Sequence, residues 1–233
     1  MRHQIKECNA AIFTVQETQY KKKGKFPYED FIVVEAIRTN KEKGGTMVGI
    51  HKYFEPVLIE EYEETFELLV IEIRVENKEI RVMSGYGPQE IWTDEEKMPF
   101  FVTLEEEIIK AQSSGKSILL ELDANSKLGN TYIENDPHPM SGNGKILAGI
   151  IERNGLCVAN GIRGKVKGVI TRKRVTKERT EESVIDMLIL SNDMVEPLVE
   201  MHIDEAKENV LTRITRTKKG VIKKDSDHNS IIS

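Results

Sequence analysis

The chain has only two cysteines, Cys8 and Cys157, in 233 residues. That is too few for a disulfide framework, and neither has metal-ligating partners at useful spacing, so disulfide-stapled folds and zinc modules are excluded. No apolar run approaches the roughly 20 residues that span a bilayer. The first residues, Met1-Arg2-His3-Gln4-Ile5-Lys6-Glu7-Cys8, lack the apolar stretch and small-residue cleavage site of a secretory signal. The chain is therefore expected to act inside a cell, off the membrane, with both thiols reduced. Basic residues are not in excess either: 34 Lys and Arg face 39 Asp and Glu, for a net charge of −5, which excludes a uniformly basic nucleic-acid binder. No linker rich in Pro, Gly or Ser, no low-complexity tract and no repeat divides the sequence, so residues 1–233 read as one domain.

What is present is a soluble composition, 39% hydrophobic and 31% charged, with strand-like and helix-like stretches in alternation. Strands are expected at Ala10 to Val15, Phe31 to Ala36 and Thr46 to His51, and a hairpin at Thr65 to Val75 and Glu79 to Ser84 around Glu76-Asn77-Lys78. Thr93 and Glu96 have capping-box spacing before a helix to Gln112 that Pro99 is expected to split or delay. Ile118 to Leu122 reads as a strand, Ser141 to Arg153 as a helix and Leu156 to Ala159 as a short strand. Further strands are expected at Val184 to Leu190, interrupted at Asp186, at Leu198 to Ile203 and at Val210 to Thr215. About ten strands and two or three helices suggest packed sheets with helices outside them.

Polar stations stand where the apolar strands end: Glu17, Tyr86, Asp123 with Asn125, Asp186, and Asp227 with His228. In Asp123-Ala124-Asn125 a carboxylate and a carboxamide two residues apart leave a strand on the same side. Asp186 interrupts an apolar strand, where a buried carboxylate needs a donor or a metal. An Asp-His pair adds a charge and a proton carrier.

These stations resemble the endonuclease/exonuclease/phosphatase superfamily. Gln16-Glu17-Thr18, Tyr86-Gly87-Pro88, Asp123-Ala124-Asn125, Ser183-Val184-Ile185-Asp186 and Ser226-Asp227-His228 are similar, in order and nearly end to end, to its Gln-Glu-Thr, Tyr-x-Pro, Asp-x-Asn, Ser-x-Ile-Asp and Ser-Asp-His motifs. Asn125-Ser126-Lys127-Leu128-Gly129 and the basic stretch with Thr171-Arg172 resemble the endonuclease domains of LINE-type retrotransposons most. The resemblance implies an α/β fold, a four-layered DNase I-like sandwich of two packed mixed β-sheets flanked by helices. Here the family's first strand is expected to be absent, Met1 to Cys8 reads as the end of the helix that follows it, and the chain reads as a piece of a longer protein.

The resemblance also implies a magnesium-dependent endonuclease, with manganese as a substitute, that nicks duplex DNA and leaves a 3′-hydroxyl. Glu17 and Asp227 are its expected metal ligands, with Asn125 beside them. Asp123 is expected to orient or deprotonate the attacking water, His228 oriented by Asp186 to stabilise the oxyanion, and Tyr86 to position the phosphate. Eight basic residues against one acid lie between Arg163 and Arg179, and six against none between Asn209 and Lys224. From these clusters Thr171, Arg172, Lys173, Arg174, Lys218 and Lys219 are expected to hold the DNA backbone. A reverse transcriptase on the same polypeptide and a nuclear location would accompany that role. An abasic-site or exonuclease III-type repair nuclease and a catalytically silent binding module of the same fold are the alternatives.

Overall fold

The computed structural model describes residues 9–20, 30–37, 44–62, 66–176, 178–208, 212–217 and 220–233, with the backbone alone for 212–217 and 220–225. In chain order these form β1 (Ile12–Gln16), β2 (Phe31–Ala36), β3 (Thr46–His51), β4 (Val57–Tyr62), β5 (Glu67–Val75), β6 (Lys78–Tyr86), α1 (Asp94–Ser113), β7 (Ser117–Asp123), α2 (Gly142–Arg153), β8 (Leu156–Val158), β9 (Val166–Lys167), β10 (Arg172–Val175), β11 (Thr180–Ser183), β12 (Asp186–Ser191), β13 (Met201–Ile203), β14 (Thr212–Thr217), β15 (Gly220–Asp225) and β16 (Ile231–Ile232). Met1 to Cys8, Lys218 and Lys219 lie outside the described residues.

A six-stranded sheet in the order β4-β5-β6-β7-β12-β8 is the centre of the molecule. It is antiparallel except where β6 meets β7. The central strands are apolar on both faces because both are covered. On one face α1 and α2 close a large core, with Phe100, Leu104, Ile108 and Ile151 packed over Met83, Ile118 and Leu120.

Helix α1 starts on the expected capping box, in which the Thr93 and Glu96 side chains each receive the other's backbone amide. It runs unbroken through Pro99, contrary to the expectation from sequence. Pro99 falls in the second turn, where it removes the hydrogen bond to the exposed Glu95 carbonyl, and the buried stripe of Phe100, Phe101, Leu104 and Ile108 holds the helix to the sheet.

The other face of the central sheet is covered in two pieces. A three-stranded sheet β1-β3-β2 packs over β5 and β6, burying Val48, Ile50, Leu69, Ile71 and Val82. A second sheet β16-β13-β9 packs over β12 through Met201, Ile203, Leu188 and Leu190. Among the described residues no strand joins the two pieces. β1 runs into Glu17, and β16 begins just after His228-Asn229-Ser230, so their open edges border the same strip of the central sheet. That strip is β7: Val82 and Ser84 on β6 and Leu188 and Leu190 on β12 are buried, whereas Leu119 and Glu121 between them keep partial exposure. Both described α-helices lie on one face, so the described residues supply three of the four expected layers.

Three local expectations change. β4 was missed, because Glu60 and Glu61 disguise an edge strand. Asp186 begins β12 instead of interrupting it, since the Thr171 hydroxyl takes the amides of Ile185 and Asp186 that a strand ladder would otherwise use. The basic stretch before Ser183 is a hairpin, β10 paired with β11, flanking the start of β12.

Candidate active site

Strand register builds the site. Tyr86 at the end of β6 pairs with Asp123 at the end of β7, and Asp123 pairs with Asp186 at the start of β12. Three chemically distinct residues far apart in sequence thus stand in one row, on the face that carries the split layer. The Tyr86 and β7 ends are locked together: Gly87 N donates to Asp123 O at 2.7 Å, and Asn125 Nδ2 donates to Gly87 O at 3.0 Å. A Cβ at Gly87 would lie 2.5 Å from the Ala124 carbonyl oxygen, so this crossing requires glycine. Ala124 N donates to Ile185 O at 2.7 Å, tying the β7 end to β12.

Two further segments bring their side chains to this row. β1 delivers Glu17, held at φ 52° where Thr18 N to Gly45 O and Gln19 N to Gly44 O tie the segment after β1 to the residues before β3. A non-glycine residue in the left-handed region costs energy and is commonly kept where it aims a side chain. Tyr86 donates its hydroxyl to Glu17 Oε1 at 2.7 Å. From the other side His228 places Nδ1 3.0 Å from both Asp186 carboxylate oxygens. One ligand atom each from Asp123, Asp186 and His228 lies within 4.8 Å of the others.

The electrostatics follow from burial and charge. Asp123, 1% exposed, has its carboxyl raised well above the ordinary range by burial and then by Asp186 and Glu17, with His228 pulling the other way. Burial opposes the charged form of His228, but Asp186, with Asp123 and Asp227, lifts it to about 9, so the imidazolium persists at neutral pH. Burial and the charges of Glu17 and Asp123 raise the Tyr86 phenol, which stays a donor. Burial also opposes ionisation of Asp227, yet Arg172 Nη2, 2.9 Å from its Oδ2, holds it below the usual carboxylate range.

The structure therefore brings together Glu17, Tyr86, Asp123, Asn125, Asp186 and His228. Asp227, expected as a metal ligand, is ion-paired to Arg172. Thr171, expected to touch DNA, is fully buried, with its hydroxyl accepting the Ile185 and Asp186 amides at 2.9 and 3.0 Å, and so has no free surface to offer. Lys173 pairs with Glu182, and Arg174 lies exposed opposite Glu181 across the hairpin. Arg163, Lys167 and Arg179 pair with Glu134, Glu200 and Glu181. The basic cluster counted along the sequence is thus substantially balanced by acids from other segments.

Sequence reasoning missed a polar chain under β1. Gln16 Nε2 donates to Thr14 Oγ1 and to Ser84 Oγ, both at 3.2 Å, and Thr14 donates to Glu121, whose carboxyl burial pushes up. The chain fixes Gln16, the residue before Glu17. An acid in the middle of the apolar run before Asp123 was the available signal.

No protein-family model and no curated protein matches the sequence. Solved structures do. The endonuclease domain of TRAS1, a telomere-specific non-LTR retrotransposon, is 18% identical with a TM-score of 0.63, the match covering 99% of this chain and 88% of that one. The 3′-5′ exonuclease NExo from Neisseria meningitidis is 15% identical with a TM-score of 0.68, over 99% and 91%. TDP2 from D. rerio, complexed with single-strand DNA product, is 12% identical with a TM-score of 0.54, over 99% and 87%. At these identities the likeness establishes the fold alone: the chain has a DNase I-like fold.

Proposed function

On this DNase I-like fold, we propose that the chain is a divalent-cation-dependent endonuclease that nicks duplex DNA and leaves a 3′-hydroxyl. The observation that carries the reading is the row of Tyr86, Asp123 and Asp186, completed from opposite sides by Glu17 and His228. A hard cation fits the donor set, because Asp123, Asp186 and Glu17 bring three carboxyl groups to one spot, where burial and then the neighbouring charges raise the Asp123 carboxyl. Glu17 and the Asn125 amide oxygen would hold it, and magnesium or manganese so bound would supply charge for the phosphoryl oxygens.

The protein's own groups do the rest. Asp123, in its ionised form, takes the proton of the attacking water as that oxygen bonds to phosphorus; the bond to the 3′-oxygen breaks, and that oxygen takes a proton from solvent to become the 3′-hydroxyl. Asp186 accepts from His228 Nδ1, which fixes the ring and leaves the other nitrogen to donate to the developing oxyanion. Tyr86 steadies Glu17 and the phosphate beside it. The exposed hairpin residues Arg174 and Lys173 would hold the DNA backbone, the surface ion pair of Lys173 with Glu182 being weak enough to exchange for phosphate.

The test is supercoiled-plasmid nicking with and without magnesium. Wild type should nick in magnesium and stop with chelator, and His228→Ala should fall by roughly 10²-fold or more, as when an oxyanion donor is removed. Chelator-resistant nicking would sink the reading. A silent binding module is favoured by one observation, the open strip of β7 beside the site. It would show DNA binding with no nicking at all. Preference for abasic over intact plasmid would instead identify a repair nuclease.

A further inference from the structure

The start of β10 is stitched to the histidine loop. Asn229 N donates to Thr171 O at 2.6 Å, Lys173 N donates to Asp227 O at 2.7 Å, and Arg172 and His228 face each other as an antiparallel bridge. Thr171 fastens the same backbone to β12: its amide donates to Ser183 O at 3.1 Å and its hydroxyl receives the amides of Ile185 and Asp186. Arg172 therefore leaves a main chain fixed to His228 on one side and to Asp186 on the other. Side chains on such supported backbone are held where the chemistry happens.

The Arg172 side chain ends on the same spot. Its Nη2 lies 2.9 Å from Asp227 Oδ2, with the two side chains still 24% and 35% exposed. That contact employs one nitrogen of a fork that carries five donors. An arginine steadied by a carboxylate, next to a histidine poised over the phosphoryl oxygens, has the geometry and charge to receive a non-bridging phosphate oxygen. The same pairing makes Asp227 a poor partner for a divalent ion, since a guanidinium within hydrogen-bonding distance repels the incoming charge.

We propose that Arg172 is a further catalytic residue that grips the scissile phosphate, and that Asp227 carries this arginine and does not ligate the cation. The proposal rests on the nuclease reading above. It assigns Arg172 to the reacting phosphate itself and not to a flanking, sequence-blind contact.

Two measurements test it. In an Asp123→Ala background that cannot turn over, binding of a duplex oligonucleotide is compared for Arg172, Arg172→Lys and Arg172→Gln. Manganese binding by calorimetry is compared for wild type and Asp227→Asn. The glutamine should bind DNA about tenfold or more weakly and the lysine fall between, because a point charge replaces part of a bidentate contact. In turnover, Arg172→Gln should lose roughly 10²-fold in kcat, as removal of a donor to a developing charge does. Asp227→Asn should bind manganese within about twofold of wild type, since no ligand has been lost. Arg172→Gln indistinguishable from Arg172 in DNA binding and kcat, in a wild type that nicks, overturns the arginine's role alone. Loss of manganese binding in Asp227→Asn overturns the assignment of Asp227. A wild type that neither binds nor nicks DNA overturns the nuclease reading as well.

Discussion

The two faces of β7 are covered in different ways. Ile118, Leu120 and Leu122 point into a continuous core closed by both described helices, and all three are buried. Leu119, Glu121 and Asp123 point the other way, beneath the junction of two sheets that no described strand joins. One face holds the fold together. The other carries polar and ionisable groups up to the proposed catalytic row of Tyr86, Asp123 and Asp186, where an apolar cover would cost less energy but would leave no polar site. The closed face can therefore be optimised for packing, while the open face accepts the cost of a buried carboxylate for the sake of chemistry.

The largest effect should separate activity from stability on the open face. Asp123→Asn should cut nicking by roughly 10³-fold, about 4 kcal/mol of barrier, in the range for a lost general base. Its urea midpoint should be equal to or above that of wild type, because a carboxyl raised by burial and like charges is replaced by a neutral amide. A marked loss of stability would show that Asp123 holds the fold and would break the comparison. Next come neighbours on opposite faces of one strand. Leu120→Ala should cost about 2–5 kcal/mol in urea unfolding, and Leu119→Ala roughly half as much or less, because the latter site is already partly open to water. Equal costs would mean that the strip is closed in solution.

A smaller effect is expected from pH. The folded protein holds the His228 proton more tightly than the unfolded chain, with its value lifted to about 9 from the ordinary 6.5. Its contribution to stability is therefore complete below about 6.5 and is lost as pH rises through about 9. The melting temperature of wild type should fall between those values, while that of His228→Gln should fall less. The smallest test is local. The β1 amides that face away from β3 should exchange with solvent before those of β7, whose two sides are paired with β6 and β12. Matching protection would reveal a cover over the β1 edge.

Much of the site was legible in the sequence because each of its members ends or begins an apolar strand, and strand ends carry such side chains to a common edge. Glu17, Tyr86, Asp123 and His228 could be picked out in this way. The pairings could not. The resemblance of Ser226-Asp227-His228 to a family motif implies a ligand at Asp227, and nothing in the order of residues shows that Arg172 reaches it. Thr171 read as a surface contact because it opens a basic stretch, whereas a buried hydroxyl is recognisable only from the amides it caps. Counting charges between Arg163 and Arg179 left out Glu134, Glu200, Glu181 and Glu182, which other segments bring alongside.

By itself the sequence determined the succession of short apolar strands, the two helices, the capping box and the order of the polar stations, all of which follow from local periodicity and turn chemistry. The tertiary structure alone decided that Tyr86, Asp123 and Asp186 stand side by side, that Asp227 belongs to an arginine, and that one face of β7 is left partly open. Those outcomes depend on the register between strands distant in the chain. A shift of a single residue would turn Asp123 to the helix side, and local sequence carries no record of which distant strand will set it.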